Sequence, residues 1–289
     1  MIFRSMVGFI QNIFDAVYNY FADMSSAELT STIIIASSAA VFIILERIFP
    51  YTKDQKVLRE GFFDDLALYT VAQSYILGII IFTYIINFID NSTGISRLQI
   101  FRDIPIWIQL VFFLVTHDLY IYWMHRFQHQ NKFLWRIHEA HHSPKSVDWL
   151  SGSRSHAFEI LINQTIEFLP IILLGSPPEV IAYKGVISAV WGMYIHSNLN
   201  IKTGKFQLII NGPEMHRWHH STGKGRNRNF ATKLAIWDWL FGTAFFPDTK
   251  PDEYGLKTYF PKNYFLQTLF AFRPFKKSNK NSGIETASD

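Results

Sequence analysis

Long uncharged apolar runs alternate with short polar, charged stretches over the first two thirds of the chain, and the runs are too long for the helices of an ordinary soluble core. Leu29 to Leu45 carries no charge and ends at Glu46-Arg47. Leu66 to Ile89 gives 24 uncharged residues between Asp65 and Asp90. A helix needs about 20 such residues to cross a bilayer, so both runs are read as membrane spans. A third apolar helix begins at Ile104, runs to Thr116, and continues without a break signal through His117 to Trp123. Ile160 to Leu174 and Val180 to Ile195 are two further apolar stretches, separated by Gly175-Ser176-Pro177-Pro178. Each is able to span, or the pair forms a hairpin that dips in and returns. Residues 1–23 are aromatic but broken by Arg4, Asp15 and Asp23. They read as an interfacial helix rather than a signal peptide, because no clean apolar core leads to a small-residue cleavage site.

The fold expected is mostly α: an integral-membrane helical bundle with a cytosolic, histidine-rich metal-binding cap. Its parts are an interfacial N-terminal segment (1–28), transmembrane helices (29–123), a catalytic region (124–250) with an apolar hairpin at 160–195, and a cytosolic C-terminal tail (251–289). From residue 278 the tail has the composition of a disordered segment.

Composition supports the membrane reading. Hydrophobic residues make up 49% of the 289 residues, and charged residues only 17%, against about 25% in a soluble domain. The absence of cysteine excludes a disulfide framework, a Cys-ligated zinc and an iron–sulfur cluster in this chain. The net charge of +4 is uneven, with 14 of the 27 Lys and Arg after residue 200. The loop between the first two spans carries Lys53, Lys56 and Arg59, and the loop after the second carries only Arg97 and Arg102. By the positive-inside rule the N-terminus is outside and the histidine region is cytoplasmic, on a bacterial inner membrane or the endoplasmic reticulum. Nucleic acid is not an expected partner, since no basic helix or aromatic-basic motif accompanies the charge.

The chemistry lies in the histidines. All 11 fall between residues 117 and 220. His125 and His129 form HxxxH; His138, His141 and His142 form HxxHH; His216, His219 and His220 form HxxHH again. Positions i, i+3 and i+4 share a helix face, so each HxxHH triplet is expected to present three imidazoles to one point. Neutral imidazole suits iron, zinc and copper. Eight ligands exceed the four that zinc takes and suit two adjacent metals with open positions for O2. A membrane zinc hydrolase and a metal transporter are the alternative classes for the same clusters. The transporter reading expects ionisable residues within the spans, and Leu66 to Ile89 has none.

HRFQH, HEAHHS and HRWHHS, in that order after apolar helices, resemble the three histidine boxes of the fatty acid hydroxylase and sterol desaturase superfamily. The stretch from His117 to Ser143, and the run from HRWHHS to Phe241-Gly242-Thr243, are similar to its alkylglycerol monooxygenase and sterol desaturase branch. The resemblance covers roughly residues 60–250. It implies a non-haem diiron centre, O2-dependent hydroxylation or desaturation, and a lipid substrate: a fatty acyl chain, a sterol or an ether lipid. Zinc is expected to replace iron on purification. Carried over box by box, the ligands are His125, His129, His138, His141, His142, His216, His219 and His220. His196 is the ninth candidate, ending an apolar helix as an intervening ligand does in related hydroxylases. Some relatives have a further histidine four residues on, where this chain has Asn200; that residue is read as holding a metal-bound water or capping the helix.

Other residues have lesser roles. His117 reads as structural polar pairing or support for a ligand. His156 lies outside the boxes, three residues before Glu159. Glu159, Asp118 and Asp238 are candidate carboxylate partners of ligand imidazoles. Arg126 and Arg217 are expected to face phosphate or carboxylate. Trp123, Trp191, Phe158 and Tyr194 suit an apolar substrate slot. No Gly-rich dinucleotide motif is present, so electrons must come from outside the chain, from a separate reductase or a small-molecule reductant such as a pterin.

Overall fold

A computed structural model describes residues 25–275; the expected interfacial helix and the end of the tail lie outside the described residues. The long helices follow the apolar runs. Helix α1 (Ser26–Ile48) opens with Ser25 and Glu28 capping one another, Glu28 N donating to Ser25 Oγ and Ser25 N to Glu28 Oε2, a reciprocal pairing that satisfies two free helix-end donors. Helix α2 (Asp64–Thr93) and helix α3 (Ile106–Gln130) follow. These three, of 23, 30 and 25 residues, are long and apolar enough to cross a membrane. Ile33, Ile34, Val41 and Ile44 of α1 are exposed, as are Val71, Ile76 and Ile79 of α2 and Val111 and Phe112 of α3. Lipid tolerates such surfaces and water does not.

After the short helix α4 (Lys132–His138) come α5 (Ala157–Leu173) and α6 (Pro178–His196), which form the expected apolar hairpin. Its turn meets the α2–α3 connection: Phe101 N donates to Leu174 O at 2.8 Å. Gly175 has φ +71°, and a Cβ there would lie 2.6 Å from Gln99 Cα, so both the backbone conformation and the close approach require glycine. The hairpin therefore runs as deep as α2 and α3. At that far end Leu77, Ile81, Ile86, Phe113, Phe168, Ile171 and Val180 form the main apolar core.

The opposite ends of all five long helices converge, and the cap is built there from α4, α7 (Pro213–His219), α8 (Ile236–Leu240), α9 (Tyr264–Phe270) and connecting loops. Among the described residues there is no β-strand, only the isolated bridges Pro50–Leu199 and Ser221–Tyr254. Buried charge ties cap to bundle. Asp65, at the start of α2, receives Arg154 Nε at 2.7 Å and Arg59 Nη2 at 2.7 Å, and Arg59 Nε also reaches Asp148 at 2.7 Å. Near the end of α1, Glu46 accepts from the backbone N–H of both Trp149 and Asn198 at 2.8 Å.

Candidate metal centre

Nine histidines meet where the helices converge. His125 and His129 come from the last turns of α3, and His138 ends α4, with His141 and His142 in the turn that follows. His196 ends α6; His216 and His219 lie in α7, and His220 caps it. They form two groups: His125, His129, His138, His142 and His219, and His141, His196, His216 and His220. Within each group the candidate ligand atoms lie within 4.8 Å of one another. The groups abut, the His142 and His220 rings stacking with centroids 4.6 Å apart. All nine are buried except His129, which is partly exposed.

The boxes do not each address one point. His138 and His142 join the five-imidazole group while His141 joins the other; His216 and His220 join the four-imidazole group while His219 joins the first. At 3.6 residues per turn, positions i and i+4 diverge by about 40°, whereas i+3 and i+4 stand about 100° apart. Each HxxHH box also straddles a helix end. Each HxxHH box therefore bridges the two groups, which sets them side by side.

Hydrogen bonds to carbonyls fix the tautomers of four rings. The Nδ1–H groups donate to carbonyls: His125 to Phe230 O at 2.8 Å, His219 to Arg228 O at 2.8 Å, His196 to Gly192 O at 2.8 Å and His141 to Arg154 O at 3.2 Å. Their Nε2 atoms are left with lone pairs. Yet His196 Nε2 lies 3.3 Å from His141 Nε2, and 2.9 Å from His216 Nε2; His142 Nε2 lies 3.1 Å from the Nε2 atoms of His129, His138 and His219. Protons do not relieve this crowding, because burial holds His141, His142, His216, His219 and His220 well below the ordinary imidazole range. A cation among the lone pairs does. Five and four neutral imidazoles fit two ions of the iron, zinc or copper type.

The segment 227–230 supports three rings of the five-imidazole group: Phe230 O and Arg228 O hold His125 and His219, and Asn227 Oδ1 lies 3.3 Å from His129 Nδ1. Asn229, at φ +55°, pins the segment by donating from Nδ2 to Met215 O and Phe245 O. Asp238 clamps it further, accepting from Phe230 N at 2.8 Å, Ala231 N at 2.9 Å and Thr243 Oγ1 at 2.7 Å. Burial pushes Asp238 up to about 6. Asp118 accepts from Thr232 Oγ1, the N–H groups of Lys233 and Leu234, and Trp237 Nε1. Of the three expected carboxylate partners, only Glu159 takes that place, with Oε1 2.8 Å from His138 Nδ1. Asp238 acts on the supporting segment instead, and Asp118 on the stretch from Thr232 to Trp237 that follows it. Backbone carbonyls carry most of the orientation, and no side-chain motif announces them.

The helical reading of Asn200 is corrected, and the remaining candidates take these places. Helix α6 ends at His196, and Asn200 lies beyond it, exposed, its N–H donating to Phe49 O at 2.9 Å. The one-turn relation to His196 does not exist, and Asn200 is neither helix cap nor brought in with the nine rings. Arg217 Nη1 donates to Ser197 O and Leu199 O, and its guanidinium lies over the Tyr51 ring. Arg126 donates to Tyr122 OH. His117 is buried beside Glu167 and Lys184. His156 caps α5, its Nδ1 accepting from Phe158 N. Next to the rings lies a cavity of about 240 Å³ between α3, α5 and α6. Of the four aromatics expected to line a slot, only Trp191 lines it, together with Ile121, Met124, Ile160 and Ile195 and the polar Gln128, Asn163, Gln164 and Ser188.

The fatty acid hydroxylase family model matches residues 110–243, which contain all nine rings and the supporting segment. The ornithine lipid hydroxylase OlsE of Rhizobium tropici is 31% identical over 231 residues, covering 78% of this chain and 70% of that protein. The alkylglycerol monooxygenase of Danio rerio is 36% identical over 144 residues, covering 48% of this chain and 31% of that protein. The very-long-chain aldehyde decarbonylase GL1-11 of Oryza sativa is 26% identical over 137 residues, 47% of this chain and 52% of that protein. No solved structure matches.

Proposed function

The chain belongs to the fatty acid hydroxylase family and is a membrane oxidoreductase acting on lipid, and we propose that it is a diiron hydroxylase of a polar membrane lipid. The observation that carries this reading is the pair of adjacent groups of five and four buried imidazoles. That number exceeds what one zinc takes, which weighs against the zinc hydrolase. Two reduced irons bound there supply the activation of O2 that attack on an unactivated C–H bond needs.

The balanced conversion is R–H + O2 + 2 e⁻ + 2 H⁺ → R–OH + H2O. The electrons come from an external reductant, a redox protein or a reduced pterin. The residues of the chain do the rest. Backbone carbonyls and Glu159 hold the rings in one tautomer; the buried rings stay neutral; the cavity against α3, α5 and α6 receives the reacting part of the lipid. The basic loop between α1 and α2, and the basic residues after 200, support a cytoplasmic face for the centre. Ornithine lipid is the first substrate to try, because the relative so named aligns over most of both chains. The test is protein purified under iron-replete conditions, assayed for metal and for oxidation of ornithine lipid with a chemical reductant and O2. About two irons per chain and a lipid product heavier by one oxygen are expected. One metal or none in folded, metal-replete protein refutes the diiron reading.

A further inference from the structure

Two parts of the cap are built with polar residues inside and apolar residues outside. In α9 and the turn after it, Gln267 and Ala271 are buried while Phe265, Leu266, Leu269 and Phe272 are exposed. The inward side makes hydrogen bonds: Gln267 Oε1 accepts from Tyr69 OH at 2.6 Å, Gln267 Nε2 donates to Pro261 O at 2.9 Å, and Tyr264 OH donates to Gln73 Oε1 at 3.0 Å. The second part joins residues 204–209 to α8. Gln207 is buried with Nε2 donating to Glu214 Oε2 at 2.6 Å, and Asp238 is buried in its clamp. Their neighbours Phe206, Leu208, Ile209, Ile236 and Leu240 are exposed. Trp239 Nε1 donates to Gln207 O at 2.9 Å and ties the two pieces together.

A helix on a water-facing surface turns its apolar stripe to the core. Contiguous apolar surface turned outward marks a contact with lipid or protein. Both parts continue surfaces that belong to the membrane-spanning helices. Tyr69 and Gln73, which hold α9, stand in the first turns of α2, just after the uncharged run begins at Leu66. Phe272 meets Phe158 of α5, ring centroids 5.9 Å apart. Phe158, Ile162 and Ile166 are exposed at four-residue spacing along α5, one face of that helix. The second part reaches α3 through Phe241, whose ring centroid lies 4.9 Å from that of Trp123. Trp123 ends the third apolar run, and it and Phe127 are exposed. Continuity with lipid-facing helices at both places favours lipid over a second protein.

We propose that α9 with Phe272, and residues 206–209 with α8, are seated in the lipid headgroup and upper acyl region of the leaflet that faces the cap. Interfacial helices bury their apolar face about 5–10 Å into that boundary. The cap is thus sunk into the membrane surface and does not stand in solution above it. The metal centre goes with it. Asp65 of α2 holds Arg154, whose carbonyl supports His141, so the rings lie level with the start of the uncharged run of α2. A lipid reaches them without leaving the bilayer.

The chain has no cysteine, so a single introduced cysteine carries a nitroxide label at one known place. Leu269→Cys, Phe272→Cys, Leu208→Cys and Leu240→Cys are each made in the full chain, labelled, and reconstituted in vesicles of phosphatidylcholine and phosphatidylglycerol. Relaxation of the label by O2, which concentrates in lipid, is compared with relaxation by a water-soluble nickel chelate. Ile79→Cys, exposed on α2, is the lipid reference, and Asp252→Cys, exposed on the cap, is the water reference. All four labels are expected to relax with O2 and to lose most of the nickel effect seen at Asp252→Cys, moving toward the Ile79→Cys ratio. Nickel relaxation equal to the water reference at either part of the cap places that surface in solution and overturns the proposal. Protection from both reagents places it against protein and overturns the proposal as well. Neither result alters the metal count or the lipid oxidation by which the hydroxylase reading is judged.

Discussion

Replacing Asp238 by asparagine separates the two groups of rings. The carboxylate receives three donors, Phe230 N and Thr243 Oγ1 on one oxygen and Ala231 N on the other. Asparagine keeps one oxygen for Phe230 and Thr243 and turns an amide N–H toward the Ala231 N–H. One hydrogen bond to a charged group, worth about 1.5–3 kcal/mol, is lost, and a buried donor is left unpaired at roughly 1–3 kcal/mol. The sum, about 2.5–6 kcal/mol, is an upper bound, because segment 227–231 shifts to relieve it. That shift moves the partners of His125, His129 and His219, three of five rings in one group. The supports of the other group, Arg154 O and Gly192 O, lie on different segments. Loss of such outer partners weakens metal binding about 10–100-fold. Iron content measured after dialysis against a competing chelator is expected to fall from about two per chain toward one. Acidifying the wild-type protein through about pH 6 protonates the same carboxyl and moves it toward the variant. If Asp238→Asn loses both irons in parallel, or neither, the segment does not support one group alone.

Gly152→Ala is the complementary test: an added Cβ would lie 2.5 Å from His196 Nδ1, so the variant is expected to empty the four-imidazole site first, and equal retention at both sites would contradict this. The metal-free protein is expected to lose thermal stability as pH falls below about 6.5, since the unfolded chain then binds protons that His141, His142, His216, His219 and His220 refuse while folded; a flat melting midpoint from pH 7.5 to 5.5 argues against burial of neutral rings. A topology reporter fused after residue 280 is expected to register in the cytoplasm, and a signal from the opposite side reverses the orientation.

The apolar runs fixed the helices well because length against bilayer thickness is a coarse and strong constraint. The ends of Leu66–Ile89 and of α2 (Asp64–Thr93) differ by a few residues, since charged residues extend a helix past the apolar stretch. Eight of the nine histidines were legible from clustering, and His196 only through the family resemblance. How they divide was not, because a box that crosses a helix end loses the single face that spacing assumes. Asn200 failed for the same reason: nothing in Ser197-Asn198-Leu199 marks the end of α6 at His196. The roles of Phe230 O, Arg228 O and Gly192 O were invisible, since every residue has a carbonyl and only the fold decides which one meets a ring. Asp118 and Asp238 were noticed as carboxylates but assigned too close to the rings: Asp238 holds the segment that supports them, and Asp118 the stretch after it.

The order of the nine rings along the chain has a consequence for biogenesis. The first two arrive with α3, but neither group is complete until His219 and His220 are made, and the five-ring group has no fixed geometry until segment 227–230 is clamped by Asp238. All five long helices precede these residues. A nascent chain emerging N-terminus first therefore places its helices in the membrane before it owns a finished site for either ion. Metal binding then draws together parts of the chain separated in synthesis, and its free energy counts toward folding. With two metals bound as proposed, capture of the ions would be a late, locking event, timed to the cap and separated from the insertion of the bundle.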